Sequence, residues 1–202
     1  MVPMISRVLK PVATRAITPT AKAMLRMGCT PNGVTIVGAI GVVVSAFIFY
    51  PSGHFFLGSI LVTVFVLSDL FDGTMARISE QGSSPWGGFL DSTIDRIADS
   101  SVLIGLILFL NRNSDPLVPV VLVALVTGIL VPYIRAKAES LGIECSGGFA
   151  ERTERLIVAL LAIGLYGLHV PFALATGMWI LAILGVVTVG QRILIVRKAT
   201  QE

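Results

Sequence analysis

Apolar residues in this chain gather into long runs separated by short polar breaks, without the strict alternation of half-buried strands. The runs fall at about 33–51, 54–76, 88–110, 116–136, 154–170 and 173–195. A membrane span needs about 20 mostly apolar residues, so each run predicts one transmembrane helix. The expected fold is therefore all-α, a polytopic membrane protein with six transmembrane helices. These leave little chain for a soluble module, and residues 1–202 are expected to form a single membrane domain.

The segment 1–32 precedes the first span and is expected to be cytosolic or interfacial. Thr18-Pro19 reads as a helix start, because proline suits a first turn. The following "TAKAMLRMG" can form an N-terminal interfacial helix with Lys22 and Arg26 turned to the headgroups; a plain connecting segment is the other reading. The first apolar run begins near Gly33 without a small-residue cleavage site, so no cleavable signal is expected.

Composition agrees with the membrane reading. Hydrophobic residues make up 54% of the chain and charged residues only 13%, with a mean hydropathy of +0.88. Soluble domains carry roughly 25% charged residues. With six spans and the N-terminus inside, Arg7, Lys10, Arg15, Lys22, Arg26, Lys137, Arg152, Arg197 and Lys198 fall on the cytosolic side. Arg77, Arg96, Arg135, Arg155 and Arg192 fall at cytosolic span ends, and Arg112 alone falls outside. This is the positive-inside pattern. The net charge of +3 thus marks orientation and anionic lipid headgroups, not nucleic acid. Cys29 and Cys145 have no metal-site spacing, and a cytosolic position disfavours a disulfide.

The exception to the apolar pattern is "DLFDGTMARISEQGSSPWGGFLDSTIDR", residues 69–96. Asp69 and Asp72 are three apart near the end of the second span; Asp91 and Asp95 are four apart near the start of the third. On helices, both spacings put the two carboxylates on one face. Gly73 and Ala76 project within about 60° of Asp69, and Arg77 at about 80°. Small residues clear a path to the backbone, and Arg77 offers a fork for phosphate. The loop "ISEQGSSPW" lets the two acidic faces meet.

Four facing carboxylates repel and are costly to bury unless something neutralises them. Salt bridges to Arg77 and Arg96 are one answer. Divalent cations are the other, and oxygen-only ligands suit Mg²⁺ or Mn²⁺ rather than zinc. Metal beside an arginine at a membrane surface points to phosphoryl chemistry on a lipid, with one carboxylate free to take a proton. Asp99, one turn deeper, is expected to pair with a basic residue such as Arg135. His54 and His169 fall at the opposite membrane face, and Trp86 reads as an interfacial anchor.

The order Asp69-x2-Asp72-Gly73-x2-Ala76-Arg77, then Gly87-x3-Asp91-x3-Asp95, resembles the signature of the CDP-alcohol phosphotransferases. Nine residues separate Arg77 from Gly87 where the usual pattern has eight, and the extra residue falls in the loop. The resemblance implies six transmembrane helices, a homodimer, and a divalent metal site open to the cytosol in the cell membrane. It implies that Asp69, Asp72 and Asp91 ligate metal and that Asp95 deprotonates the acceptor hydroxyl while also touching a second ion. Asp69, Gly73, Ala76, Arg77 and Gly87 would line the cytidine diphosphate of CDP-diacylglycerol. "TPNGVT" at 30–35 also resembles the family, where Pro31 and Asn32 would touch the nucleotide; capping by Thr30 or Asn32 is the alternative.

The signature leaves the acceptor open. "PYIRAKAESLGI", "GGFAERTERLIV" and "MWILAILGVVTVGQRI" resemble the bacterial phosphatidylinositol phosphate synthases, a branch whose acceptor is inositol phosphate. Arg152 and Arg155 share a helix face, and with Arg135, Arg192 and Lys137 they are candidates for an acceptor that carries its own phosphate. Arg135 and Lys137 point to nearly opposite sides of one helix, so one at most faces such a pocket squarely. Glycerol 3-phosphate, the acceptor of phosphatidylglycerophosphate synthases, is the alternative substrate. A cation transporter is the alternative of another class, but it predicts acids spread through the membrane depth, and these cluster near one face.

Overall fold

The computed structural model describes residues 17–79, 84–145 and 152–201. All regular structure among them is helical: α1 (residues 17–26), α2 (Pro31–Phe49), α3 (Phe55–Val66), α4 (Ser68–Ile78), α5 (Pro85–Arg112), α6 (Val118–Ser140), α7 (Arg152–Gly167) and α8 (Ala173–Ala199). Among the described residues, four stretches are long and apolar enough to cross a membrane: Pro31–Phe49, Phe55–Ile78, Val118–Ser140 and Ala173–Ala199. Their outward surfaces are apolar. Val37, Ile40, Val44 and Ile48 form an exposed stripe along α2, and Trp179, Ile183 and Val187 do the same on α8. A soluble protein does not expose such continuous apolar surface; a lipid-embedded one does. The chain is a membrane protein.

The expected second span is interrupted once. Leu67 separates α3 from α4 but keeps helical torsions (φ −62°, ψ −16°), so the chain direction carries on. The amide of Leu70 bonds to the carbonyl of Leu67 at 3.1 Å, a locally tightened turn directly before the acidic stretch.

Two compact units divide the chain, one of residues up to Val43 with Val62–Ala98, the other of Val44–Leu61 with Asp99–Glu202. In the first, α1 ends at Gly28, whose φ of +86° suits glycine, with the Cys29 amide bonded to Met24 O at 3.0 Å. Thr30 then caps α2 by accepting the Gly33 amide at 3.1 Å, with Pro31 as the first helical residue. The α2 helix lies close against α3 and α4 because it carries glycines at the contact. A side chain on Gly41 would run into the Phe65 ring, and one on Gly38 into Ser68. The next rung is a hydrogen bond from Thr35 to Asp72. As α2 positions fall from 41 to 35, their partners rise from 65 to 72, so the helices are antiparallel.

In the second unit α8 packs on α6 and α7. Small residues again set the approach: Gly177 meets Ala162 of α7, and Gly185 meets Thr127 of α6. Phe55 anchors an aromatic cluster, its ring centroid 4.7 Å from Phe109 and 5.1 Å from Tyr166. Beside it the Tyr50 hydroxyl lies 3.2 Å from that of Ser59.

Candidate active site

The signature residues belong to the first unit. Asp72 is buried on α4, Asp69 is half-buried one turn before it, and Asp91 is exposed on the first turns of α5. Asp69 and Asp91 both lie within electrostatic range of Asp72, so α4 and α5 each place a second acid near it. Asp95 is half-buried and lies 3.6 Å from the neighbouring guanidinium of Arg96. Arg77 is exposed and donates to Thr74 Oγ1 at 3.2 Å, while Thr74 donates to Leu70 O at 2.7 Å. Of the two expected salt-bridge partners, Arg96 is thus engaged with an acid and Arg77 with a hydroxyl.

Two glycines of the signature have different surroundings. A side chain on Gly73 would meet nothing within 4 Å, so the backbone beside Asp72 borders open space. A side chain on Gly87 would come 3.2 Å from Asn32 Oδ1. Asn32 on α2 and Gly87 on α5 are therefore neighbours, although 55 positions apart in sequence (87 − 32). Ala76 is half-buried one turn beyond Gly73.

The residue types suit a hard divalent cation: the side chains near Asp72 are carboxylates, and open space lies beside them at Gly73. Among the described residues no three acids, histidines or cysteines are drawn into a closed ligand cage. The donor chemistry fits the expected metal.

The basic residues expected to hold an acceptor phosphate belong to the second unit. Arg152 forks Asp99, with Nε 3.1 Å from Oδ2 and Nη2 3.1 Å from Oδ1. The expectation that Asp99 pairs with a base holds, but its partner is Arg152 and not Arg135. Arg135 instead bonds Glu139 one turn along α6, Nε to Oε1 at 2.8 Å. The reason is reach: a helical neighbour four residues away is always within range.

Arg192 is buried on α8 and donates to the carbonyl of Val131, beside Pro132 inside α6. Arg135, Glu139 and the buried Cys145 lie within its electrostatic range. Arg155 is half-buried and Lys137 exposed. Cys29 and Cys145 are both free thiols. Residues 80–83 of the loop with the extra residue, and 147–151 of the "GGFAERTERLIV" stretch, lie outside the described residues.

Sequence reasoning passed over Thr35 and Glu139. Thr35 is the last residue of the same "TPNGVT" stretch that contains Pro31 and Asn32. Glu139 sits four residues after Arg135, a spacing that signals an ion pair.

The family model for CDP-alcohol phosphatidyltransferase matches residues 29–190. The phosphatidylinositol phosphate synthase of Streptomyces avermitilis is 39% identical over 98% of this chain and 85% of that protein. The Cutibacterium acnes protein of the same name is 40% identical over 93% of this chain and 95% of its own length. Among solved structures, Mycobacterium tuberculosis phosphatidylinositol phosphate synthase with CDP-diacylglycerol bound aligns with a TM-score of 0.85 at 42% identity, covering 90% of this chain and 94% of that one. The same enzyme in complex with manganese and citrate aligns with a TM-score of 0.83 at 41% identity, covering 89% and 88%.

Proposed function

The chain belongs to the CDP-alcohol phosphatidyltransferase family, and on that premise we propose that it is a phosphatidylinositol phosphate synthase. It transfers the phosphatidyl group of CDP-diacylglycerol to inositol phosphate and releases CMP. The observation that carries this reading is the similarity to a solved synthase of that specificity with CDP-diacylglycerol bound, at 42% identity over 90% of the chain.

Each residue then has a task. Asp69, Asp72 and Asp91 hold the divalent cation, Mg²⁺ or Mn²⁺, and Asp95 touches a second ion. Bound there, the metal would neutralise pyrophosphate charge and supply Lewis-acid stabilisation. Gly73 and Ala76 leave room for the cytidine diphosphate to approach the α4 backbone, and Arg77 offers its fork to phosphate oxygens. Pro31, Asn32 and Gly87 border the nucleotide. Asp95 takes the proton from the acceptor hydroxyl, whose oxygen attacks the lipid-side phosphorus as the bond to CMP breaks. The acceptor's own phosphate is assigned to the basic residues Arg155, Arg152 and Arg192, with one of Arg135 and Lys137, which point to nearly opposite sides of α6.

We further propose six crossings, with α5 and α7 completing the set and α1 lying in the interface. The 28 residues of α5 are ample. The 16 residues of α7 span about 24 Å, short of an average hydrocarbon core, so the turn after Gly167 also enters it. Positive-inside charge puts both termini and the acidic stretch in the cytosol, within the cell membrane. The working form is a homodimer.

The deciding assay offers purified protein CDP-diacylglycerol with inositol phosphate or with glycerol 3-phosphate and follows CMP. Release with glycerol 3-phosphate and none with inositol phosphate would overturn the reading.

A further inference from the structure

We propose that Thr35 is a positioning residue for the metal-binding carboxylate of Asp72, reaching it from α2 across a glycine-lined seam. The proposal rests on the metal assignment of the preceding subsection and adds a residue outside the signature.

Three observations carry it. Thr35 Oγ1 hydrogen-bonds Asp72 Oδ2. Both residues are buried, at 6% and 7% exposure, so water does not readily replace the hydroxyl. The geometry is also built in. Gly41 admits Phe65, Gly38 admits Ser68, and Thr35 follows as the next rung of the same helix pair. Residues 35, 38 and 41 lie at successive spacings of three, so each is a helical neighbour of the next along a row that winds slowly around α2.

The hydroxyl has one proton and two acceptors in reach. Pro31 O is 3.1 Å away, the usual back-bond of a helical threonine. A bond to an ionised carboxylate is roughly twice as strong as one to a neutral carbonyl, so the proton goes to Asp72. With Oδ2 tied to α2 and the backbone amide of Gly73 also bonded to the carboxylate, Asp72 cannot rotate freely, and its orientation toward a cation is set in part from α2. Hydrogen bonds of this kind orient metal-binding carboxylates and typically matter 10–100-fold in affinity.

The test titrates Mn²⁺ into the full chain in lipid nanodiscs without substrate and reads free Mn²⁺ by its paramagnetic resonance signal. Melting in chelator is recorded alongside. Thr35→Val removes the hydroxyl at constant shape, Thr35→Ser keeps it, and Asp72→Asn controls for the metal site. The expected result is Mn²⁺ binding weakened about tenfold or more by Thr35→Val and largely restored by Thr35→Ser. A merely structural hydroxyl would change melting and leave Mn²⁺ affinity alone.

Binding by Thr35→Val within about twofold of the parent chain would overturn the proposal, as would a Thr35→Ser variant as weak as Thr35→Val. Should Thr35→Val not fold, Thr35→Ala is read in the same way. If Asp72→Asn binds Mn²⁺ as tightly as the parent, the metal assignment itself falls. If only Asp72→Asn loses binding, the assignment stands and Thr35 has no part in it.

Discussion

The guanidinium of Arg152, at the first position of α7, grips the Asp99 carboxylate with two nitrogens, each 3.1 Å from its oxygen. Both side chains are about three-quarters shielded, at 26% and 27% exposure. Removing one member of a fully buried pair costs about 3–5 kcal/mol, and an exposed pair contributes about 0–1. This pair lies between those limits. Arg152→Ala is expected to destabilise the protein by about 1–3 kcal/mol, and Asp99→Asn in the same background should add little. A double-mutant cycle of detergent melting temperatures measures the coupling. Additive losses would show that the fork is not the main role of Arg152.

The two glycines Gly38 and Gly73 should respond oppositely to alanine. Ala gains up to about 1 kcal/mol over Gly in a helix interior. At Gly38 that gain is outweighed by collision with Ser68, for which overpacking costs of about 1–3 kcal/mol are typical. At Gly73 nothing stands within 4 Å, so Gly73→Ala should melt at or above the parent temperature. If the nucleotide lies where it is proposed, the variant's KM for CDP-diacylglycerol should nevertheless rise, because the added methyl would enter that space. Melting curves and CMP release on the same preparations separate the two.

Asp95→Asn is expected to lower kcat by about 10²–10⁴ while the KM for both substrates changes little, the pattern of a lost general base. Chelator should abolish CMP release in the parent chain, and Mn²⁺ or Mg²⁺ should restore it. Near-normal kcat in Asp95→Asn would remove Asp95 from its assigned role.

Glu139 competes with any phosphate for Arg135. Their ion pair is 2.8 Å long but more than half exposed on both sides, so Glu139→Gln should shift stability by less than about 0.5 kcal/mol. If Arg135 receives the acceptor phosphate, the same substitution should lower the KM for inositol phosphate by about twofold, since the carboxylate no longer occupies the guanidinium. An increased KM would instead identify Glu139 as the residue holding Arg135 in place.

Much of this architecture is written in local pattern. Apolar runs mark the helices to within a few residues, because lipid and core both demand apolar side chains and the backbone must bond to itself. The Thr30 cap and the Asp69/Asp72 face follow from spacings of three or four, which the helix period converts directly into geometry. The Leu67 interruption carries no such mark, since it arises where Ser68 packs against Gly38 and no proline or glycine lies at the break.

Relationships across long stretches of chain are another matter. The sequence by itself determined a helical membrane protein, its acidic chemistry and the residue types able to perform phosphoryl transfer. Only the tertiary structure decided that Arg152, rather than Arg135, neutralises Asp99, that Asn32 borders Gly87, and that Thr35 reaches Asp72. The physical reason is that a helix period fixes which face a residue occupies. Which neighbour meets that face depends on how closely two helices approach, and here small residues such as Gly38 and Gly41 set that approach.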